Sequence, residues 1–180
     1  VKRVTEEVLT IVRTDKDIQS GNSKKAIELV ETKVLPHFNF LRMTSLAVGK
    51  DWNKASPEQK KRLAKEFETL LVRTYSNALT AYKSQTIVYK PLKMQPGDTD
   101  VLVRTEIRQP GQQAVQLDYG VEKQDNGAWK VYDVVVAGIS LVTNYRETFA
   151  QEVRNGGIDG LITTLADKNK QVEAKNEKKS

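Results

Sequence analysis

A chain of 180 residues suits one domain and is long enough to bury a sizeable core. It carries 29 Lys and Arg against 23 Asp and Glu; the resulting charge of +6 is dispersed until the C-terminal tail, so it favours acidic surfaces such as anionic membranes rather than marking a nucleic-acid site. The lack of cysteine excludes a disulfide scaffold and cysteine metal sites, and no apolar run approaches the length of a membrane span.

Val4, Val8, Leu9, Ile11 and Val12 recur at helical spacing and predict an amphipathic helix over residues 1–12. After the turn-rich Ser20-Gly21-Asn22-Ser23, Ser23 is the expected cap of a second helix bearing Ala26, Ile27, Val30 and Val34. Pro36 ends it, because the ring cannot continue the ladder and the residue before it is pushed out of the helical region. A short apolar helix from His37 closes at Gly49, with Trp52 beyond; its aromatics and Met43 read first as core.

Ser56-Pro57-Glu58-Gln59 is the sharpest local signal, a capping box with proline at the tolerated first helical position. The helix it opens carries Leu63, Phe67, Leu70, Leu71, Tyr75, Ala78, Leu79 and Tyr82 on one stripe. Running to about residue 82, it would be about 40 Å long.

The period then changes to two. Strands are expected over residues 86–94, 101–108, 115–121 and 129–137, separated by Pro96-Gly97-Asp98, Pro110-Gly111 and Asn126-Gly127. Short links imply an antiparallel meander of four, and helices followed by strands imply an α+β fold. The last strand is apolar on both faces: simple alternation puts Trp129, Val131 and Val135 on one, Tyr132, Val134 and Val136 on the other. It is either covered on both sides or bent at a bulge. Gly138 breaks it, and Ser140 is a plausible cap for a helix through Leu141, Tyr145 and Phe149. Ile158, Leu161, Ile162, Leu165 and Ala166 are helical again. With no repeat or linker, residues 1–168 read as a single domain and 169–180 as a charged tail or frayed helix end.

Catalytic signals are weak. His37 has no orienting carboxylate in its sequence neighbourhood, and Gly156-Gly157-Ile158-Asp159-Gly160 lacks the strand and lysine of a phosphate loop, so it reads as a helix break. Asp118 and Asp133 lie in strands. One alternative is therefore a curved-sheet cavity enzyme of isomerase or dehydratase type with either as general base. The plainer reading bonds Asp133 to backbone or to an arginine. The excess of apolar surface fits a thick core or a cavity, and periodicity does not separate them.

The segments 127–134 (Gly-Ala-Trp-Lys-Val-Tyr-Asp-Val), 137–142 (Ala-Gly-Ile-Ser-Leu-Val) and Asn144-Tyr145-Arg146 resemble the MlaC family of periplasmic phospholipid shuttles, also called toluene-tolerance or auxiliary transport proteins. Val48-Gly49 with Trp52, the Ser56 cap leading to Phe67 and Leu71, Tyr75 with Tyr82, and Gly157 to Leu161 agree in order and spacing. Phe38-Asn39-Phe40 departs from it, since relatives often place an acidic residue before the second Phe.

The resemblance implies a strongly bent four-stranded antiparallel sheet packed against helices around an apolar cavity, distantly like the nuclear-transport-factor and cystatin-like folds. It implies a carrier that makes and breaks no bond and needs no cofactor, with phospholipid as cargo. The carrier would work in the periplasm, after removal of a signal peptide before Val1. Its partners would be an inner-membrane ABC transporter complex and an outer-membrane lipoprotein–porin complex, with no nucleic acid, and its role to maintain outer-membrane lipid asymmetry; a monomer is expected. The lining expected on this basis is Met43, Leu46, Phe67, Leu71, Tyr75 and Leu79 from helices, with Val103, Leu117, Tyr132, Val134, Val136, Ile139 and Leu141 from the sheet and the turn after it. A bulky residue at Leu71 is accordingly expected to block uptake without harming the fold.

Overall fold

The computed structural model describes residues 1–82 and 84–178. Helix α1 (Lys2–Thr14) buries Val8, Leu9 and Val12. The side chain of Asp15 caps α2 (Lys16–Gln19), accepting from the N–H groups of Asp17 and Ile18. Asn22, one residue before the expected Ser23, caps α3 (Ser23–Leu29) by accepting from the Lys25 N–H. The chain then widens into a π-helical turn at Val30–Val34 and tightens into a 3₁₀ turn at Leu35–His37 around Pro36. Phe38 bridges Val131 in the sheet, and Asn39 caps α4 (Phe40–Val48) through the Arg42 N–H at 3.1 Å. Asn39 therefore performs the capping an acid would perform at that place.

The capping box forms in full: Ser56 Oγ accepts from the Gln59 N–H and Gln59 Oε1 accepts from the Ser56 N–H, at 3.1 and 2.9 Å. It opens α5 (Pro57–Tyr75), which breaks at Ser76 before the short α6 (Asn77–Thr80). The expected single stripe is thus divided. Leu63, Phe67, Leu70 and Leu71 join Met43, Val142, Phe149, Leu161 and Leu165 in the main core. Tyr82, with Leu79 packed beside it, belongs instead to a second cluster with Val8, Leu9, Val12, Ile18 and Leu29. Within the main core the Phe67 ring meets Tyr145 and Phe149 edge-on, at centroid distances of 5.3 and 5.4 Å.

The sheet is antiparallel with order β1-β2-β3-β4-β5: β1 (Thr86–Tyr89), β2 (Asp100–Arg108), β3 (Val115–Lys123), β4 (Trp129–Val136) and β5 (Ile139–Ser140). Strand β1 is shorter than its sequence suggests, since Pro91 offers no N–H to a ladder and residues 90–99 leave the sheet as an exposed loop. The fifth strand, absent from the sequence expectation, forms because Ala137 and Gly138 both adopt positive φ, at 50° and 84°, and reverse the chain tightly.

Ser140 therefore starts no long helix. Its Oγ accepts from the Thr143 N–H at 3.1 Å and caps a 3₁₀ turn over Thr143–Tyr145. Helix α7 (Arg146–Glu177) follows, kinked where Gly157 takes φ 71°. Toward its C-terminal end it contacts α5: buried Asn169 donates to the carbonyl and carboxylate of Glu66, and Arg73 donates to the Asn169 carbonyl and the Glu173 carboxylate.

Candidate functional site

Register decides which side chains share a face. Val103 stands opposite Tyr119, and Tyr119 opposite Val134. Val121 pairs with Val131 while Gly120 pairs with Asp133, so Tyr132 is an extra residue in β4. This bulge re-phases the alternation. It brings Trp129 and Val131 onto the same face as Val134 and Val136, which simple alternation assigned to opposite sides. One face of the sheet thereby becomes almost wholly apolar.

Helix α1 lies over that face and leaves a pocket of about 590 Å³ beneath it. Its floor is Val101, Val103, Ile107, Leu117, Tyr119, Val121, Trp129 and Val131; its roof is Val4, Val8 and Leu9; Val34, His37, Phe38, Leu79 and Tyr82 close the sides. Leu92 and Met94 of the β1–β2 loop reach the rim, each about half exposed to solvent. Among the described residues no Lys, Arg, Asp or Glu side chain lines the pocket. The volume lies within the range of about 300–1,000 Å³ usual for ligand sites.

Three polar contacts hold the roof down: Tyr89 donates to Glu6 (3.2 Å), Lys33 pairs with Glu7 (2.9 Å), and Arg13 donates to the Tyr82 hydroxyl (2.8 Å). The Lys33 hydrogen bond and charge hold the Glu7 carboxyl below its usual range. Burial pushes the Tyr119 hydroxyl up to about 12; burial, together with the Glu6 carboxylate, does the same to Tyr89.

Of the lining residues expected from sequence, Leu79, Val103 and Leu117 border this pocket. Val134 packs against the Val101–Val121–Val131 cluster, and Val136 pairs with Leu117 in the same sheet face, although neither borders the opening. Met43, Phe67 and Leu71 lie instead in the packed α4–α5–α7 core, with Leu46 against it. Tyr132 is turned by the bulge to the opposite face and packs on that core. Tyr75 and Ile139 are exposed, because α5 ends at Tyr75 and Ile139 sits on the edge strand; Leu141, just past that strand, is outside the pocket wall. The roof of α1 escaped the sequence reading. Its signal was present in Val4, Val8 and Leu9, but an amphipathic stripe does not say whether it covers a core or a cavity.

Neither strand carboxylate faces the pocket. Asp133 Oδ1 accepts from the Val134 N–H and, at 3.4 Å, the Val142 N–H, and Oδ2 accepts from Ser140 Oγ at 2.6 Å, so it braces the β4–β5 turn. Asp118 pairs across the sheet with Arg104 and Val135, on the face away from Leu117 and Tyr119, and accepts from Gln116. Among the described residues no group of three or more His, Cys, Asp and Glu is placed to hold a metal.

An α+β protein whose sheet and first helix enclose an apolar-walled pocket free of charged side chains belongs to the class of binding proteins for apolar ligands. Residues 2–167 match the family model described as MlaC protein, and the chain belongs to that family. It is 31% identical over 157 residues to the intermembrane phospholipid transport system binding protein MlaC of Haemophilus influenzae, covering 83% of this chain and 73% of that one. It is also 31% identical over 115 residues to the toluene tolerance protein ttg2D of Pseudomonas putida, covering 64% of this chain and 53% of that one. The solved structure of the phospholipid-binding protein from Ralstonia solanacearum in complex with a phospholipid superposes with a TM-score of 0.88 at 39% identity, over 96% of both chains.

Proposed function

We propose that this protein carries phospholipid between membranes, with acyl chains in the pocket beneath α1 and the head group at the rim near Leu92 and Met94. It acts as a carrier and not an enzyme. The observation that carries this reading is the phospholipid-bound relative, similar over 96% of the chain. The apolar wall supports it independently. In this reading the sheet bends at the Tyr132 bulge to wrap its cargo, and residues 1–168 form one carrier unit onto which the end of α7 is fastened. The site of action is the periplasm, and the protein works as a monomer between an outer-membrane lipoprotein–porin complex and an inner-membrane ABC transporter complex, maintaining outer-membrane lipid asymmetry.

Each buried methylene contributes about 0.8 kcal/mol, so two chains amount to on the order of 20 kcal/mol, near the practical ceiling of non-covalent affinity. The chains lose similar burial on leaving a bilayer, and the balance makes exchange feasible. Native mass spectrometry of the purified protein tests the reading: bound phospholipid is expected. Protein that repeatedly purifies empty and takes no lipid from vesicles or from detergent dispersion overturns it.

A further inference from the structure

The loop over residues 90–99 joins an apolar rim to a cationic one. Leu92 and Met94 are 52% and 45% exposed, yet both border the pocket, so each touches the cavity and the solvent at once. Lys90 and Lys93 alternate with them and are exposed. The one acid of the loop, Asp98, is exposed and accepts from the Gln95 N–H at 2.8 Å, which ties it to the loop's own turn beyond Met94. At the loop's base the Lys2 ammonium lies 5.2 Å from the centre of the Tyr89 ring, whose hydroxyl donates to Glu6. Large apolar side chains between lysines are the arrangement of a segment that seats in a head-group layer, where the apolar groups enter the acyl boundary and the ammonium groups meet phosphates.

We propose that the loop over residues 90–99 is a docking element for an anionic phospholipid surface, with Leu92 and Met94 inserted and Lys90 and Lys93 on lipid phosphates. This rests on the carrier reading and adds the step at which the pocket meets its source. Contact there would leave an apolar path, unbroken by water, from bilayer to pocket. A lipid surface fits better than a protein groove because the same side chains must face the cargo as it passes.

The test uses the full chain and flotation with vesicles of phosphatidylcholine alone or mixed with phosphatidylglycerol. Wild-type protein is expected on the mixed vesicles and much less on the neutral ones. Lys90→Gln/Lys93→Gln, neither residue lining the pocket, should lower partition roughly 30-fold, the factor two surface-facing lysines carry. Its loading from detergent-dispersed phospholipid should stay unchanged. Because the chain has no cysteine, a polarity-sensitive dye on Met94→Cys reports insertion, and one on Ile139→Cys, on β5 at the opposite edge of the sheet, serves as control. A blue shift at residue 94 alone is expected. Equal partition of wild type and the lysine variant, no blue shift at residue 94, or no preference for anionic vesicles overturns the docking proposal. Protein that loads from detergent but ignores vesicles defeats this inference alone and leaves the loop to a protein partner; protein that loads from neither defeats the carrier reading itself.

Discussion

The Tyr132 ring lies directly over Gly120: a Cβ at residue 120 would come within 2.9 Å of Tyr132 Cζ and 3.2 Å of its Oη. The ring has little freedom to yield, since its hydroxyl donates to Asp100 Oδ1 at 2.7 Å and its body packs on the main core. Close approach, not backbone conformation, is what calls for glycine here. Gly120→Ala should lower stability by about 1–3 kcal/mol through overpacking. Trimming the ring with Tyr132→Leu in the same chain should recover part of that loss, giving non-additive urea midpoints. Additive losses would mean that the two residues do not constrain each other.

The same bulge determines which substitutions test the pocket. Leu71 is packed among Phe67, Leu70 and the α7 side chains, so Leu71→Trp should destabilise the fold by about 1–3 kcal/mol or more. Val103 faces the cavity from β2. Val103→Trp is therefore expected to leave the melting temperature nearly unchanged while abolishing uptake of fluorescent phospholipid. Normal uptake by Val103→Trp would remove this pocket from the role of cargo site.

Much of the fold was legible in the residues, because caps and turns are local chemistry. Ser56 with Gln59, Asn126-Gly127 and the break at Gly157 are all where their residue types require. The lining was less legible. Assigning faces in β4 assumes an unbroken two-residue period, and the single extra residue Tyr132 moves Val134 and Val136 to the side of Val131. Likewise the stripe from Leu63 to Tyr82 is continuous as a pattern, but the break at Ser76 sends its two ends into different clusters. The apolar pattern on both faces of β4 allows a bulge without fixing its position or excluding burial on both sides, and the break at Ser76 leaves no mark in spacing.

Partly buried tyrosines should make the protein sensitive to alkali. Tyr89, Tyr119, Tyr132 and Tyr145 are each raised to about 12, mainly by burial. With the unfolded phenol near 10, the folded state holds these protons more tightly. Their contribution to stability is fully present below about pH 10 and is lost as pH rises toward 12, where the unfolded chain binds fewer protons. Spectrophotometric titration should show tyrosinate appearing late, together with unfolding. Tyr119→Phe should flatten the alkaline fall in stability; an unaltered fall would place Tyr119 in contact with water.

Head-group selection follows from what the wall lacks. Among the described residues the pocket's polar side chains are Thr5, His37, Tyr82, Tyr119 and Trp129, with no charged side chain to pair with a phosphate or amine. Tyr82 is already committed, accepting from Arg13 and donating to the Gln85 carbonyl at 2.6 Å. Chain volume is thus read by the cavity, while the head group stays at a solvated rim where charge contacts are screened. Phosphatidylethanolamine and phosphatidylglycerol of equal chain length should compete evenly for the pocket, within about threefold, when both are presented in neutral detergent. The neutral detergent matters, because an anionic vesicle would favour docking by the Lys90–Lys93 loop and mimic selectivity. A preference above about tenfold, equivalent to about 1.4 kcal/mol, would require a specific polar contact at the rim. Comparing the same competition in Lys90→Gln/Lys93→Gln would then show whether those two ammonium groups supply it.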